Sequence, residues 1–196
     1  MTQDQSQGQS TPPEFTPTTL LKALGASGIP HNLHEHEAVF TVAEAATAST
    51  AILGTHTRNL FLKDKKERMF LVTLLHDTPV DLKKLADLLG VGRLSFGSPD
   101  RLWTYLGVTP GSVTPFAILN DRGGRVTLIL EEAMMREDLM TAHPLINTMT
   151  VSMSPQGLVT MLKNYAITPR IINLSSVAPD SAEPTNQKEC APCSLE

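Results

Sequence analysis

Apolar positions along this chain come in short runs, each closed by glycine, proline or a charged cluster, and their spacing predicts interspersed helices and strands. Leu20, Leu21 and Leu24 follow Thr16-Pro17-Thr18-Thr19 at helical spacing, so a helix starts there and stops near Gly25 or Gly28. Ile29-Pro30-His31-Asn32-Leu33 reads as extended. Thr41, with Glu44 three residues on, forms a capping box for a short Ala-rich helix, and residues 49–57 form a polar loop. Leu60-Phe61-Leu62 is the apolar run of a core strand, with residues 68–74 as its hairpin partner across a charged turn at 64–67. Residues 81–89 form an amphipathic helix ended by Gly90, and residues 93–97 a short strand. Ser98-Pro99 caps a helix running through Leu106 to Gly107, and 108–115 is a loop. Residues 116–120 and 125–130 flank Asp121-Arg122-Gly123-Gly124, which predicts a hairpin. A strand over 148–152 and a last helix capped by Ser154-Pro155, with Leu158, Val159, Met161, Leu162 and Tyr165 inward, complete the pattern.

The clearest strand pairs are hairpins, so the fold class is α+β with a mixed, mainly antiparallel sheet. Residues 16–174 make one domain, without internal repeats. Residues 1–15 and 175–196 are polar and low in complexity, and are expected to be disordered tails.

The length of 196 residues, 41% hydrophobic and 18% charged, suits one soluble domain with a sizeable core. No apolar run is long enough to cross a bilayer, and residues 1–13 lack the basic and apolar regions of a signal peptide, so the expected compartment is the cytoplasm. Cys190 and Cys193, in the last seven residues, have no second pair and no adjacent histidine; a tail motif without function is preferred to a redox or zinc site. A net charge of -4 argues against a protein that coats nucleic acid, and no DNA partner is expected. Charge is uneven, however: residues 58–101 hold nine bases and six acids. Such a patch suits a brief grip on one end of an RNA.

The nucleophile elbow, the phosphate loop, the dinucleotide fingerprint and the His-Glu-x-x-His motif are all missing. His34 and His36 would share one face of a strand, but no third ligand follows at metal spacing, and a solvated face is the simpler reading. The remaining candidates are Arg58, Lys63, Arg93, the loop Gly111-Ser112-Val113-Thr114-Pro115 and His143. Arg58 and Lys63 bracket an apolar strand. They are either solvated ends of an edge strand or cations fixed beside a rigid core, able to hold a polyanion. The 111–115 loop is either a Pro/Gly turn or a set of backbone donors, and His143 either orders its loop or bonds a ligand.

Five segments, in order, resemble a known family: Arg58-Asn59-Leu60-Phe61-Leu62-Lys63-Asp64-Lys65-Lys66, Asp81-Leu82-Lys83-Lys84-Leu85, Gly92-Arg93-Leu94-Ser95-Phe96-Gly97, the stretch from Leu106 to Pro115, and His143-Pro144-Leu145. They are similar to the YbaK/prolyl-tRNA-synthetase-associated editing domains, and most of all to the freestanding Ala-tRNA(Pro) deacylases (ProXp-ala or PrdX). The resemblance spans almost all of residues 16–174. It implies a barrel-like mixed sheet surrounded by helices, and hydrolysis of the ester of misacylated tRNA as a trans-editing hydrolase. It implies no cofactor, no metal and no covalent intermediate; the tRNA's own terminal ribose hydroxyl would assist the attacking water. The implied partners are the acceptor end of an aminoacyl-tRNA and prolyl-tRNA synthetase.

By the same resemblance, Gly111, Ser112, Val113, Thr114, Pro115 and His143 hold the substrate, while Lys63 and Arg93 meet tRNA phosphates. Arg58 stands where the family has its principal lysine. Arginine keeps the charge but differs in shape and cannot give up its proton. Two expectations follow: a deacylase in which Arg58 anchors the substrate, or a homologue that binds tRNA or synthetase without turnover.

Overall fold

The computed structural model describes residues 13–36 and 52–179. The expected helix at Thr41, most of both tails and the Cys190/Cys193 pair lie outside the described residues.

Among the described residues four α-helices form where local signals place them. Helix α1 (Pro17–Ala26) is opened by a reciprocal Thr16/Thr19 capping box. Helix α2 (Leu82–Leu89) begins at Asp81, whose carboxylate accepts from the Lys83 and Lys84 N–H groups, and ends at Gly90 with φ 66°. Helix α3 (Pro99–Leu106) and helix α4 (Pro155–Asn164) each start with a serine cap followed by proline.

Among the described residues eight strands make one mixed sheet: β1 (His31–Glu35), β2 (Thr55–Lys63), β3 (Met69–Leu75), β4 (Ser95–Phe96), β5 (Val126–Glu131), β6 (Met140–Ala142), β7 (Met149–Met153) and β8 (Arg170–Ile172). The order is β1-β7-β6-β2-β3-β5-β8, with β4 branching from β2. Pairs β1–β7, β2–β3, β2–β4 and β6–β7 are antiparallel; β2–β6, β3–β5 and β5–β8 are parallel. The α+β class with a mainly antiparallel mixed sheet is therefore borne out. One core cluster gathers Phe61, Leu71 and Leu128 from one half of the sheet with Met140, Val151 and Met153 from the other, so the sheet curls around it. A second cluster packs Leu62, Val72, Leu74 and Ile129 under Leu85 and Leu89 of α2.

Two expectations fail. Residues 116–120 are not a hairpin strand but a 3-10 helix, Pro115–Asn120. Proline at its first position presets the helical φ, and every residue from Pro115 to Asn120 is buried, so no inward/outward alternation exists for a strand to use. Nor is an edge free, because β5 is flanked by β3 and β8. The Asp121 turn survives as a helix-to-strand joint: its carboxylate accepts the Val126 N–H at 2.6 Å. Residues 55–57, read as loop, instead begin β2, because Thr55 and His56 pair with Met140 and Thr141 of β6. That partner lies 85 residues away, beyond any local signal.

Packing also passes the expected boundary at residue 174. Val177 is fully buried, and its carbonyl accepts the Asp81 N–H at 2.7 Å.

Candidate active site around strand β2

Strand β2 positions the site because its two edges are used unequally. One edge pairs with β3 along most of its length. The other pairs with β6 only at Thr55 and His56 and with β4 only at Leu62 and Lys63. Among the described residues no strand covers 57–60 on that edge. Arg58 and Asn59 sit in this split, and the pleat sends them to opposite faces.

Arg58 is half-buried. Its Nη2 donates to the Thr78 carbonyl, while its Nε is buried with no hydrogen-bond partner. A guanidinium carries five donors, so this one holds unused capacity for an anion or carbonyl oxygen. The Thr78 turn forms one wall of a cleft of about 540 Å³, with Gly54, Thr55, His56, Leu75, His76 and Asp77 as the rest of its lining. His56, two residues before Arg58, shares its face, and its Nδ1 lies 3.1 Å from Thr141 Oγ1.

Asn59 faces the other way. Its Nδ2 donates to the Val113 carbonyl at 3.0 Å, and its Oδ1 accepts from the Thr73 hydroxyl at 2.7 Å. Thr73 is wholly buried on β3, so a polar chain runs from β3 through β2 into the 111–115 loop. Sequence reasoning treated Asn59 only as part of the strand. Its parity with Phe61 is the signal that could have found it: a polar residue on the inward face needs partners.

In that loop, Gly111 adopts φ +88°, a conformation that disfavours any side chain. Its open side points towards Asn147, 3.8 Å from where a Cβ would stand. The loop therefore lies against the connection that follows His143. Ser112 and Thr114 are buried, and Thr114 Oγ1 has no hydrogen-bond partner.

His143 is half-buried, with its Nδ1 2.9 Å from the Met149 carbonyl. A carbonyl only accepts, so Nδ1 carries the proton and Nε2 is the acceptor of the neutral ring. Burial pushes the His143 pKa below its ordinary 6.5; nearby His36 and His56 push the same way, and the Met149 bond only partly opposes them. The His36 ring centre is 6.3 Å from that of His143, and His36 Nε2 meets Thr150 Oγ1 at 2.9 Å. The expected solvated His34/His36 face is therefore corrected: both are half-buried, and His34 Nε2 is buried without a partner.

Lys63 and Arg93 occupy a different corner. Lys63 Nζ donates to Glu67 at 2.8 Å, and Glu67 also pairs with Arg101. The Lys63 bond and the Arg101 charge hold the Glu67 carboxyl below its usual range, although desolvation opposes them. Arg93 is exposed just before β4, where Ser95 registers against Lys63. Asp64, inside the motif, is a turn device. Burial raises its pKa, but the Arg68 guanidinium and the Arg68 and Lys66 N–H groups outweigh that and lower it. The structure thus ties the 111–115 loop to β2 through Asn59, on the face opposite Arg58, sets His143 close enough to His56 to feel its charge, and leaves Lys63 and Arg93 at the far end of the strand.

Among the described residues no group of three or more His, Cys, Asp or Glu could hold a metal, and no helix is long and apolar enough to cross a membrane.

Residues 36–161 match the model of the aminoacyl-tRNA editing domain. The chain is 37% identical to prolyl-tRNA synthetase associated domain-containing protein 1 of Bos taurus, over 79% of this chain and 92% of that protein. It is 35% identical to the prolyl-tRNA editing protein ProX of Acetoanaerobium sticklandii, over 74% of this chain and 90% of that one. A crystal structure described as a candidate trans-editing enzyme for prolyl-tRNA synthetase shares the fold, with a TM-score of 0.61 and 20% identity over 80% of this chain and 94% of that one. With a match over most of its described domain and relatives of this similarity along most of their length, the chain belongs to the aminoacyl-tRNA editing domain family.

Proposed function

We propose that this protein is a trans-editing deacylase that hydrolyses the ester of misacylated tRNA, with Ala-tRNA(Pro) as the substrate. The observation that carries the reading is Arg58: a guanidinium anchored by one bond, with a buried unpaired Nε, in the stretch of β2 that no described strand covers. The bond from Asn59 to the Val113 carbonyl, next to Arg58 on the same strand, supports counting the 111–115 loop in the same site. Family membership supports the reaction class, and the ProX relative's name points to prolyl-tRNA.

In this mechanism Arg58 donates to the aminoacyl ester and supports the negative charge that develops on its carbonyl oxygen when water attacks. Collapse of the tetrahedral intermediate breaks the bond from carbonyl carbon to ribose oxygen; the proton lost by the attacking water goes to that oxygen, so the free amino acid and the ribose hydroxyl of the tRNA are released. Backbone N–H groups of the 111–115 loop hold the aminoacyl and ribose groups. Neutral His143 offers Nε2 as an acceptor to a substrate hydroxyl or ammonium. Alanine is the expected cargo because a proline-sized synthetic pocket cannot strongly exclude a smaller residue. Lys63 and Arg93 grip acceptor-stem phosphates, and prolyl-tRNA synthetase is the expected partner, in the cytoplasm.

Purified protein incubated with Ala-tRNA(Pro), Ser-tRNA(Pro) and Pro-tRNA(Pro) tests this. Release of alanine with Pro-tRNA(Pro) left intact is expected. Absence of hydrolysis of every misacylated tRNA, beside an active lysine-bearing homologue, overturns it. The presence of arginine at position 58 favours one competing reading, a binder without turnover. That reading expects tRNA binding without hydrolysis and no gain from Arg58→Lys.

A further inference from the structure

We propose that Glu131 is a positioning residue for Arg58, acting through the turn that follows β3; this rests on the deacylase reading above. Glu131 ends β5 and is only 4% exposed. No ion pair compensates it among the described residues. Instead both of its oxygens are spent on the turn. Oε2 accepts the Leu75 N–H at 2.7 Å, and the Thr78 hydroxyl donates to Oε1 at 2.8 Å and to Oε2 at 3.0 Å. Thr78 is the residue whose carbonyl holds Arg58. The turn is closed by the Thr78 N–H on the Leu75 carbonyl at 3.2 Å and tied to β2 by the His76 N–H on the His56 carbonyl at 2.9 Å.

The physical need is clear from Arg58 itself. An arginine side chain is long and loses about 2 kcal/mol of rotamer freedom when fixed. One carbonyl bond holds this one, so that carbonyl has to be stationary. A buried carboxylate left without a cation is costly unless it is fully hydrogen-bonded, and here its bonds go to the segment that presents the carbonyl. Glutamine would turn one acceptor into a donor facing the Leu75 N–H or the Thr78 hydroxyl, loosening the turn with little change in shape.

Single-turnover deacylation of Ala-tRNA(Pro) by wild type, Glu131→Gln, Arg58→Ala and the double variant tests the relay, with thermal denaturation alongside. Glu131→Gln is expected to lower kcat roughly tenfold or more, with little change in KM, because a reacting group is displaced rather than lost. In the Arg58→Ala background it should cost nothing further. An equal loss in both backgrounds overturns the relay and leaves Glu131 a purely structural residue.

A second readout needs no substrate: ¹⁵N NMR of the Arg58 guanidinium. Slowed rotation and exchange of its Nη protons are expected in wild type and in Thr78→Ser. Both should be lost in Glu131→Gln and in Thr78→Val. Unchanged Arg58 signals in folded Glu131→Gln or Thr78→Val overturn the relay. A wild type that hydrolyses nothing while its Arg58 signals depend on Glu131 overturns the deacylase reading and leaves the relay standing.

Discussion

Arg58 and Lys63 are cations on one strand, yet the protein treats them in opposite ways. Arg58 lies in the split of β2, half-buried, and bonds to a backbone carbonyl held by a buried network. Lys63 lies at the strand's end, where it pairs with the half-exposed Glu67 of the adjoining turn. A surface pair of that kind contributes about 0–1 kcal/mol and exchanges readily for another anion. A positive charge meant for one atom of a substrate has to be fixed. A charge meant for a phosphate backbone serves better when it can follow its target.

Removing the guanidinium should break this contrast most sharply. Arg58→Ala is expected to cut single-turnover deacylation by roughly 10²–10³-fold, the scale of a lost oxyanion donor. A loss confined to KM would instead make Arg58 equivalent to Lys63.

The Asn59 side comes next. Asn59→Ala strands the buried Thr73 hydroxyl and the Val113 carbonyl, and should cost about 1–3 kcal/mol in denaturant unfolding. Activity should fall too, because the 111–115 loop loses its tie to β2. Full activity at normal stability would detach the loop from the site.

His143 provides a pH test. Its pKa lies below 6.5, so the ring stays neutral through pH 7, and the acid limb of kcat/KM is expected below the ordinary histidine range. The same shift acts on stability. The unfolded chain takes up the proton first, so stability falls as pH drops from 6.5 through the lowered folded value. In His143→Gln both dependences should flatten; an unchanged acid limb assigns it to another group.

The smallest effects belong to the surface corner. Lys63→Ala should weaken tRNA binding several-fold and reduce the salt slope by about one, leaving kcat alone. Glu67→Gln, which frees Lys63 and Arg101, should tighten binding slightly at low salt. A drop in kcat with Lys63→Ala would erase the distinction from Arg58.

Legibility in the sequence varied for physical reasons. The serine and aspartate caps, the closing glycines and the 64–67 turn were readable because each is satisfied within a few residues. The identity of the β2 motif was readable because order and spacing of the motifs survive in a string. The 116–120 segment was not, since a run buried on all sides shows no period and only the occupied edges of β5 exclude a strand. Asn59, Glu131 and His56 were missed, and His36 was read as solvated, because their partners lie far away in sequence.

The sequence by itself determined the single α+β domain, most element boundaries and the family, because those depend on local chemistry and on the order of motifs. Tertiary structure alone decided that no described strand covers β2 at Arg58 and Asn59, that Arg58 meets the Thr78 turn while Asn59 meets the 111–115 loop, and that burial lowers the His143 pKa. Each depends on which distant strand or loop comes to lie alongside β2, and the relevant energies of burial and hydrogen bonding exist only once those groups have met.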